Sequence, residues 1–260
     1  MPGPPCPPAV RRRLAAALAF AALAGGAAAC GTAASPPRAT RTADTTADTT
    51  AGYPAPRRPV SDIVAPRWTD ERVRDRQGEA ARVFAHLALA PGMAVADIGA
   101  GDGYYVARLV PLLGDSGVIY GQDVRDDYLD LLRDRARRAG WRTVRIVLGT
   151  EDDARLPASA VDVALMIHMY HEIAQPFALL ARLATSMRPG GRLAILDRDA
   201  PTDAHGTPIA LLNCELRAVG YEPVSRIDME PGEYLAVFRA PPTAPAPQDI
   251  AERLRAGRCG

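Results

Sequence analysis

Between residues 93 and 238 the sequence repeats one arrangement, a short run of apolar residues without polar alternation followed by a longer segment with one apolar face. The runs fall at 93–98, 118–122, 144–148, 161–167 and 192–196, and the helical patterns at 103–113, 126–139, 176–187 and 208–219. A strand apolar at every position must be covered on both sides, so runs separated by helices predict a largely parallel sheet between two helical layers. The last two runs, 223–228 and 234–238, are joined by Glu230-Pro231-Gly232-Glu233, which is too short for a crossover. They predict an antiparallel terminal hairpin and bring the sheet to seven strands. One further helix is predicted over 70–89, ending at Pro91-Gly92.

Outside this core the composition changes. Arg11-Arg12-Arg13 precedes an Ala-rich apolar run over 14–29 that ends in Ala27-Ala28-Ala29-Cys30. The run is shorter than the roughly 20 residues needed to cross a bilayer, so it reads as an export signal. The order of charge, apolar run, small residues and Cys resembles a bacterial lipoprotein leader, with Ala27 standing where a Leu is usual. That resemblance implies a lipid anchor at Cys30 and an exported domain facing the periplasm, with a cytoplasmic location as the alternative if the leader is not used. The expected division is a leader over 1–29, a disordered tether over 30–62, a folded domain over 63–240 and a Pro-rich tail over 241–260. Cys214 and Cys259 are left outside the leader; a disulfide between them and two unpaired thiols are both open readings. With 31 basic residues against 30 acidic ones, mixed along the chain, no nucleic-acid surface is expected.

The chemistry concentrates at the ends of the predicted strands. Asp97-Ile98-Gly99-Ala100-Gly101-Asp102-Gly103 joins the first strand to its helix, where glycines let a ligand approach the backbone and the helix start favours an anion. A dinucleotide fingerprint needs a third Gly where this chain has Tyr104, which disfavours a nicotinamide oxidoreductase. Asp123 ends the second strand, where a carboxylate accepts both hydroxyls of a ribose; a solvated helix cap is the alternative. Gly149-Thr150-Glu151-Asp152-Asp153 follows the third strand, and His168-Met169-Tyr170-His171-Glu172-Ile173 the fourth. His168 and His171 stand three apart with a single Glu adjacent and no further ligand cluster in the sequence, so no metal site is expected.

The pattern D-x-G-x-G-x-G resembles the cofactor motif of class I S-adenosylmethionine-dependent methyltransferases. Met187-Arg188-Pro189-Gly190-Gly191 resembles the turn that precedes the fifth strand of that family. The resemblance covers about residues 76–238, and 166–173 look closest to the ubiquinone and menaquinone methyltransferase-like group and its exported relatives. It implies a Rossmann-like fold with S-adenosyl-L-methionine as cofactor. The cofactor would be held by Asp97, Gly99, Ala100, Gly101, Gly103 and Asp123, by Glu151 or Asp152 at the adenine edge, and by His168 alongside. Tyr170, His171 and Glu172 would wall the acceptor pocket. His168, His171 and Glu172 are the expected catalytic residues, with Asp197 and Asp199 as further candidates for a base. The acceptor is expected to be a small molecule that the sequence does not name, and oligomeric state is unreadable. An exported binding protein that keeps the fold without catalysis is the second reading.

Overall fold

The computed structural model describes residues 52–63 and 70–257. The expected leader, Cys30 and most of the expected tether lie outside the described residues. The chain order is α1 (Glu71–Gln77), α2 (Glu79–His86), β1 (Ala94–Ile98), α3 (Tyr104–Leu113), β2 (Val118–Asp123), α4 (Asp126–Ala139), β3 (Val144–Leu148), β4 (Val161–Ile167), α5 (Pro176–Ser186), β5 (Met187–Arg198), α6 (Ile209–Ala218), β6 (Glu222–Asp228), β7 (Glu233–Arg239) and α7 (Pro247–Gly257).

The strands form one sheet in the order β3-β2-β1-β4-β5-β7-β6. The pairs β3–β2, β2–β1, β1–β4 and β4–β5 are parallel, and β7 runs antiparallel to both β5 and β6. The expected mostly parallel seven-stranded sheet with an antiparallel terminal hairpin is thus found, and β7 slots between β5 and β6. Side chains alternate between two cores. Ala96, Ala164, Met166, Ile195 and Phe238 face the layer holding α5 and α6. Val95, Val163, Leu165, Leu196 and Val237 face the layer holding α2 and α3. Both parities are apolar because both faces are covered, the physical reason for the uninterrupted runs in the sequence.

Three expectations need correction. The helix predicted over 70–89 is two helices, because Gly78 sits at φ +68, a left-handed conformation that ends α1 and starts α2. Residues 52–62, assigned to the tether, pack on the domain: Tyr53 contacts the α5–α6 core, and Arg58 and Ser61 are buried. The end of the Pro-rich tail is the amphipathic helix α7, which buries Ile250 and Leu254 and packs against α6. Composition suggested tether and tail, whereas a few apolar anchors and one buried charge are enough to dock both.

Candidate functional site

The sheet order reverses between β1 and β4. From β1 the chain moves outward to β2 and β3, then returns to β4 on the other side and continues away. At such a reversal the loops after neighbouring strands splay apart and leave a crevice at their carboxyl ends. Here the crevice is a cavity of about 360 Å³, lined by Gly99, Ala100 and Gly101 after β1, Gln122 and Asp123 of β2, Thr150 and Glu151 after β3, and His168, His171 and Glu172 after β4. Residues from α1 and α2, among them Arg74 and Glu79, close it from above.

The glycine loop is shaped by its own hydrogen bonds. The N–H groups of Gly99 and Ala100 both donate to Gln122 O, Gly103 N–H donates to Ala100 O, and Gly101 N–H donates to Asp123 Oδ2 at 2.9 Å. Gly99, Gly101 and Gly103 all have positive φ. A Cβ on Gly103 would stand 2.4 Å from Leu132 Cδ1, so this glycine lets α4 pack against the loop and does not line the cavity. The sequence reading offered these N–H groups to an anion, but four of them are committed within the fold. Cationic side chains reach the cavity instead from Arg74 and Arg198, and the sequence offers no motif at Arg74.

Asp97 lies beneath the loop, 3 % exposed, and does not reach the cavity surface. Burial pushes its carboxyl up to about 7, the nearby Asp123 adds to this, and Arg74 opposes it. Asp123 does line the cavity. Its Oδ1 accepts from Arg125 N–H and its Oδ2 from Gly101 N–H. Burial raises its pKa, opposed by those backbone donors. Arg125 is the N-cap of α4, and Asp123 does not reach the N2 or N3 groups that a capping side chain satisfies. Its carboxylate serves the cavity wall.

Glu151 lines the cavity, while Asp152 turns away. Asp152 accepts from Thr150 Oγ1 at 2.6 Å and is ion-paired with Arg182, a partner invisible from the sequence. Of the two acids considered for the adenine edge, Glu151 lines the cavity and Asp152 does not.

After β4 the chain turns sharply, with His168 at φ +54 and its N–H donating to Leu196 O. His168 Nε2 lies 3.4 Å from Glu79 Oε2. Glu79 also accepts from Arg74 and, at 2.8 Å, from Tyr105 OH. Burial raises the Glu79 carboxyl, but the hydrogen bonds from His168 and Arg74 and their charges outweigh burial and hold it down at about 2. Arg74 in turn stacks 3.8 Å above the Tyr104 ring.

Tyr170 was expected in the acceptor wall and is not there. It is fully buried, and its hydroxyl donates to Glu215 on α6 at 2.8 Å. His171 and Glu172 do line the cavity. His171 is 3 % exposed, and its Nδ1 sits 3.0 and 3.1 Å from the two oxygens of Asp197. Asp197 also accepts from Thr207 Oγ1 at 2.7 Å and from Arg198 N–H. Held by these donors, the Asp197 carboxylate anchors the Nδ1 edge of the imidazole and turns its Nε2 edge toward the cavity. Asp197 thus acts through His171 and touches no ligand itself. Asp199 is exposed and accepts from Ile209 N–H at the start of α6, which removes it as a base.

The fit to a zwitterionic nucleoside is good at each station. The cavity offers a carboxylate for ribose hydroxyls (Asp123), an acid at the end of β3 (Glu151), a close backbone approach at Gly99, and Arg74 beside buried Asp97. A Cβ on Gly99 would come within 3.2 Å of Met169, so only glycine leaves the passage clear.

Comparison with known proteins agrees. A family model described as a methyltransferase domain matches residues 96–193. A protein-L-isoaspartate O-methyltransferase of Methanothrix thermoacetophila is 29 % identical over 109 residues, covering 42 % of this chain and 49 % of that protein. A ubiquinone/menaquinone biosynthesis C-methyltransferase of Shewanella halifaxensis is 26 % identical over 112 residues, 43 % of this chain and 45 % of the relative. The match therefore spans about half the length of these curated relatives. Among solved structures, an S-adenosylmethionine-dependent methyltransferase from Aquifex aeolicus aligns at TM-score 0.59 and 20 % identity, over 66 % of this chain and all of the other. A geranyl diphosphate C-methyltransferase from Streptomyces coelicolor A3(2), bound to Mg2+, geranyl diphosphate and S-adenosyl-L-homocysteine, aligns at TM-score 0.52 and 15 % identity, over 65 % and 82 %. Residues 96–193 thus match a methyltransferase-domain family, and the described core has the Rossmann-like fold seen in S-adenosylmethionine-dependent methyltransferases.

Proposed function

We propose that the protein transfers the methyl group of S-adenosylmethionine to a small molecule bound in the same cavity. The observation that carries this reading is the convergence of Gly99, Asp123, Glu151 and His168 on one crevice at the strand-order reversal. When bound, the cofactor supplies an electrophilic methyl group on a positively charged sulfur. The chain's task is to orient, desolvate and balance charge.

In this reading Asp123 accepts the ribose hydroxyls, Glu151 meets the adenine edge, and Arg74 takes the carboxylate of the methionine tail. Asp97, beneath the loop and short of the cavity surface, balances the ammonium from a distance, aided by deprotonation when that charge arrives. Carboxylates far outnumber arginines around the cavity, which suits a cationic ligand. His171, oriented by Asp197, presents Nε2 to the acceptor end together with Glu172, while Met169, Ile173 and Leu179 give that end an apolar lining. The solved relative with geranyl diphosphate and the quinone-pathway relative support an acceptor of similar size class.

The leader supports export with a lipid anchor at Cys30. Cys214 is disulfide-bonded, which suits an oxidising compartment; Cys259, the partner considered in one of the two open readings, lies outside the described residues. Labelling with a clickable fatty acid, present in the wild type and lost in Cys30→Ala, is the expected result for this placement.

The test of function is calorimetric titration with S-adenosylmethionine of a fragment starting at residue 52, repeated on Asp123→Ala and Arg74→Ala. Saturable binding that drops at least tenfold in both variants is expected. Unchanged binding in Asp123→Ala would sink the site assignment, and tight binding without methyl transfer across an acceptor panel would favour a non-catalytic binding protein.

A further inference from the structure

Beyond the cofactor, the acceptor end of the cavity holds a set of side chains that the sequence does not bring together. His171 and Glu172 stand after β4, and His205 stands in the loop between β5 and α6. One ligand atom from each lies within 4.8 Å of the other two, and all three residues line the cavity. The two imidazole rings meet edge to face at 5.5 Å, and His171 Nε2 is 4.0 Å from Glu172 Oε1. We propose that His171, Glu172 and His205 form a binding site for a divalent transition metal of the zinc class, open toward the acceptor.

The chemistry of the set supports this. Two imidazoles and one carboxylate are the donors of three-ligand sites that keep a coordination position open. A metal-binding imidazole characteristically donates its other N–H to a carboxylate, which fixes the tautomer and raises the basicity of the ligating nitrogen. His171 has that arrangement, with Nδ1 on fully buried Asp197 and Asp197 held by Thr207. Bonds of about 2.0–2.1 Å put ligand atoms roughly 3.3 Å apart around a four-coordinate ion, so atoms within 4.8 Å of one another have to close by no more than about 1.5 Å.

The ligands are also braced. Arg58 donates to the carbonyls of Tyr170, His171 and Ile173, and Ser61 N–H donates to His171 O. The loop carrying His205 is tied down by Thr207 N–H to Arg198 O and by Ser61 Oγ to Thr202 O. Gly206 lets it pass the β5 terminus, since a Cβ there would stand 2.7 Å from Arg198 O. Elements this firmly positioned suit a ligand set that must hold its geometry. With the ion on Nε2, an acceptor oxygen or sulfur would bind through the open position, and His171 Nε2 would not itself accept a proton from it.

The site does not depend on the methyl-donor reading, and its test uses metal alone. The full chain is stripped with a chelator and titrated with Zn2+ by calorimetry and with Co2+ by visible absorption. One equivalent is expected, with the ligand-field bands of Co2+ in a low-coordinate site. Both signals should weaken at least tenfold in His205→Ala and in Glu172→Gln, and by about 10–100-fold in Asp197→Asn, which leaves every ligand in place. Far-UV circular dichroism and S-adenosylmethionine titration on the same samples verify that the variants are folded. No stoichiometric metal binding, or binding unchanged in His205→Ala and Glu172→Gln, overturns the proposal. Cofactor binding without metal binding defeats this inference alone; metal binding without cofactor binding defeats only the proposed function.

Discussion

Glu79 shows how much one side chain can hold together. It joins Arg74, Tyr105 and His168 at the mouth of the cavity, and its carboxyl is held at about 2, below its ordinary value. A depressed carboxyl contributes stability that is complete above its unfolded value and is lost as pH falls through the folded one. Glu79→Gln should therefore cost about 2–3 kcal/mol at pH 7, a deficit that shrinks between pH 4.5 and 2, as read from denaturant melts across pH. Asp97 has the opposite sign, since its folded value of about 7 exceeds the ordinary one. Its cost to the free protein grows as pH rises from about 4 to 7, so Asp97→Asn should be more stable than the wild type by on the order of 2–4 kcal/mol above pH 7 and equal to it near pH 4. The same variant should bind S-adenosylmethionine more weakly. Gly103→Ala forces both a left-handed alanine and a contact with Leu132, and should lose roughly 1–3 kcal/mol with a weakened cofactor site.

Among the elements, the segment over 52–63 does more than its composition suggests. Arg58 is buried, ion-paired with Glu215 at 3.1 Å, and hydrogen-bonded to the turn that carries His171. Arg58→Ala strands the Glu215 charge and should destabilise by about 3–5 kcal/mol, whereas Arg58→Met with Glu215→Leu should recover much of the loss. If His171 depends on that brace, the double variant will melt normally but show reduced turnover, a split that a purely structural role would not produce. None of this was legible in the sequence, because a single Arg in a Pro-rich stretch looks like tether and its acid partner lies far along the chain. The sheet was legible almost strand by strand, since a both-sides-buried strand must be apolar at every position. At the site, Asp123, Glu151 and the histidine turn were readable from their places at strand ends. Arg74, Glu79 and His205 were not, because they arrive from helices and loops whose approach is set by packing.

At the scale of the whole molecule, residues 52–63 and helix α7 pack as part of the described core. A fragment trimmed to 63–240 removes Arg58, Ser61, Ile250 and Leu254 and should melt at least 10 °C below one covering 52–260, in a comparison by scanning calorimetry. The sheet order adds a consequence in time. The long strand β5 is paired on one side by β4, which precedes it, and on the other by β7, which is made only after α6 and β6. Until residue 239 is available, β5 presents an unpaired edge of apolar residues, the kind of edge that recruits other chains. Folding of this protein is therefore committed late in synthesis, and a ribosome that stalls between β5 and β7 should release an aggregation-prone product while one that finishes β7 should not.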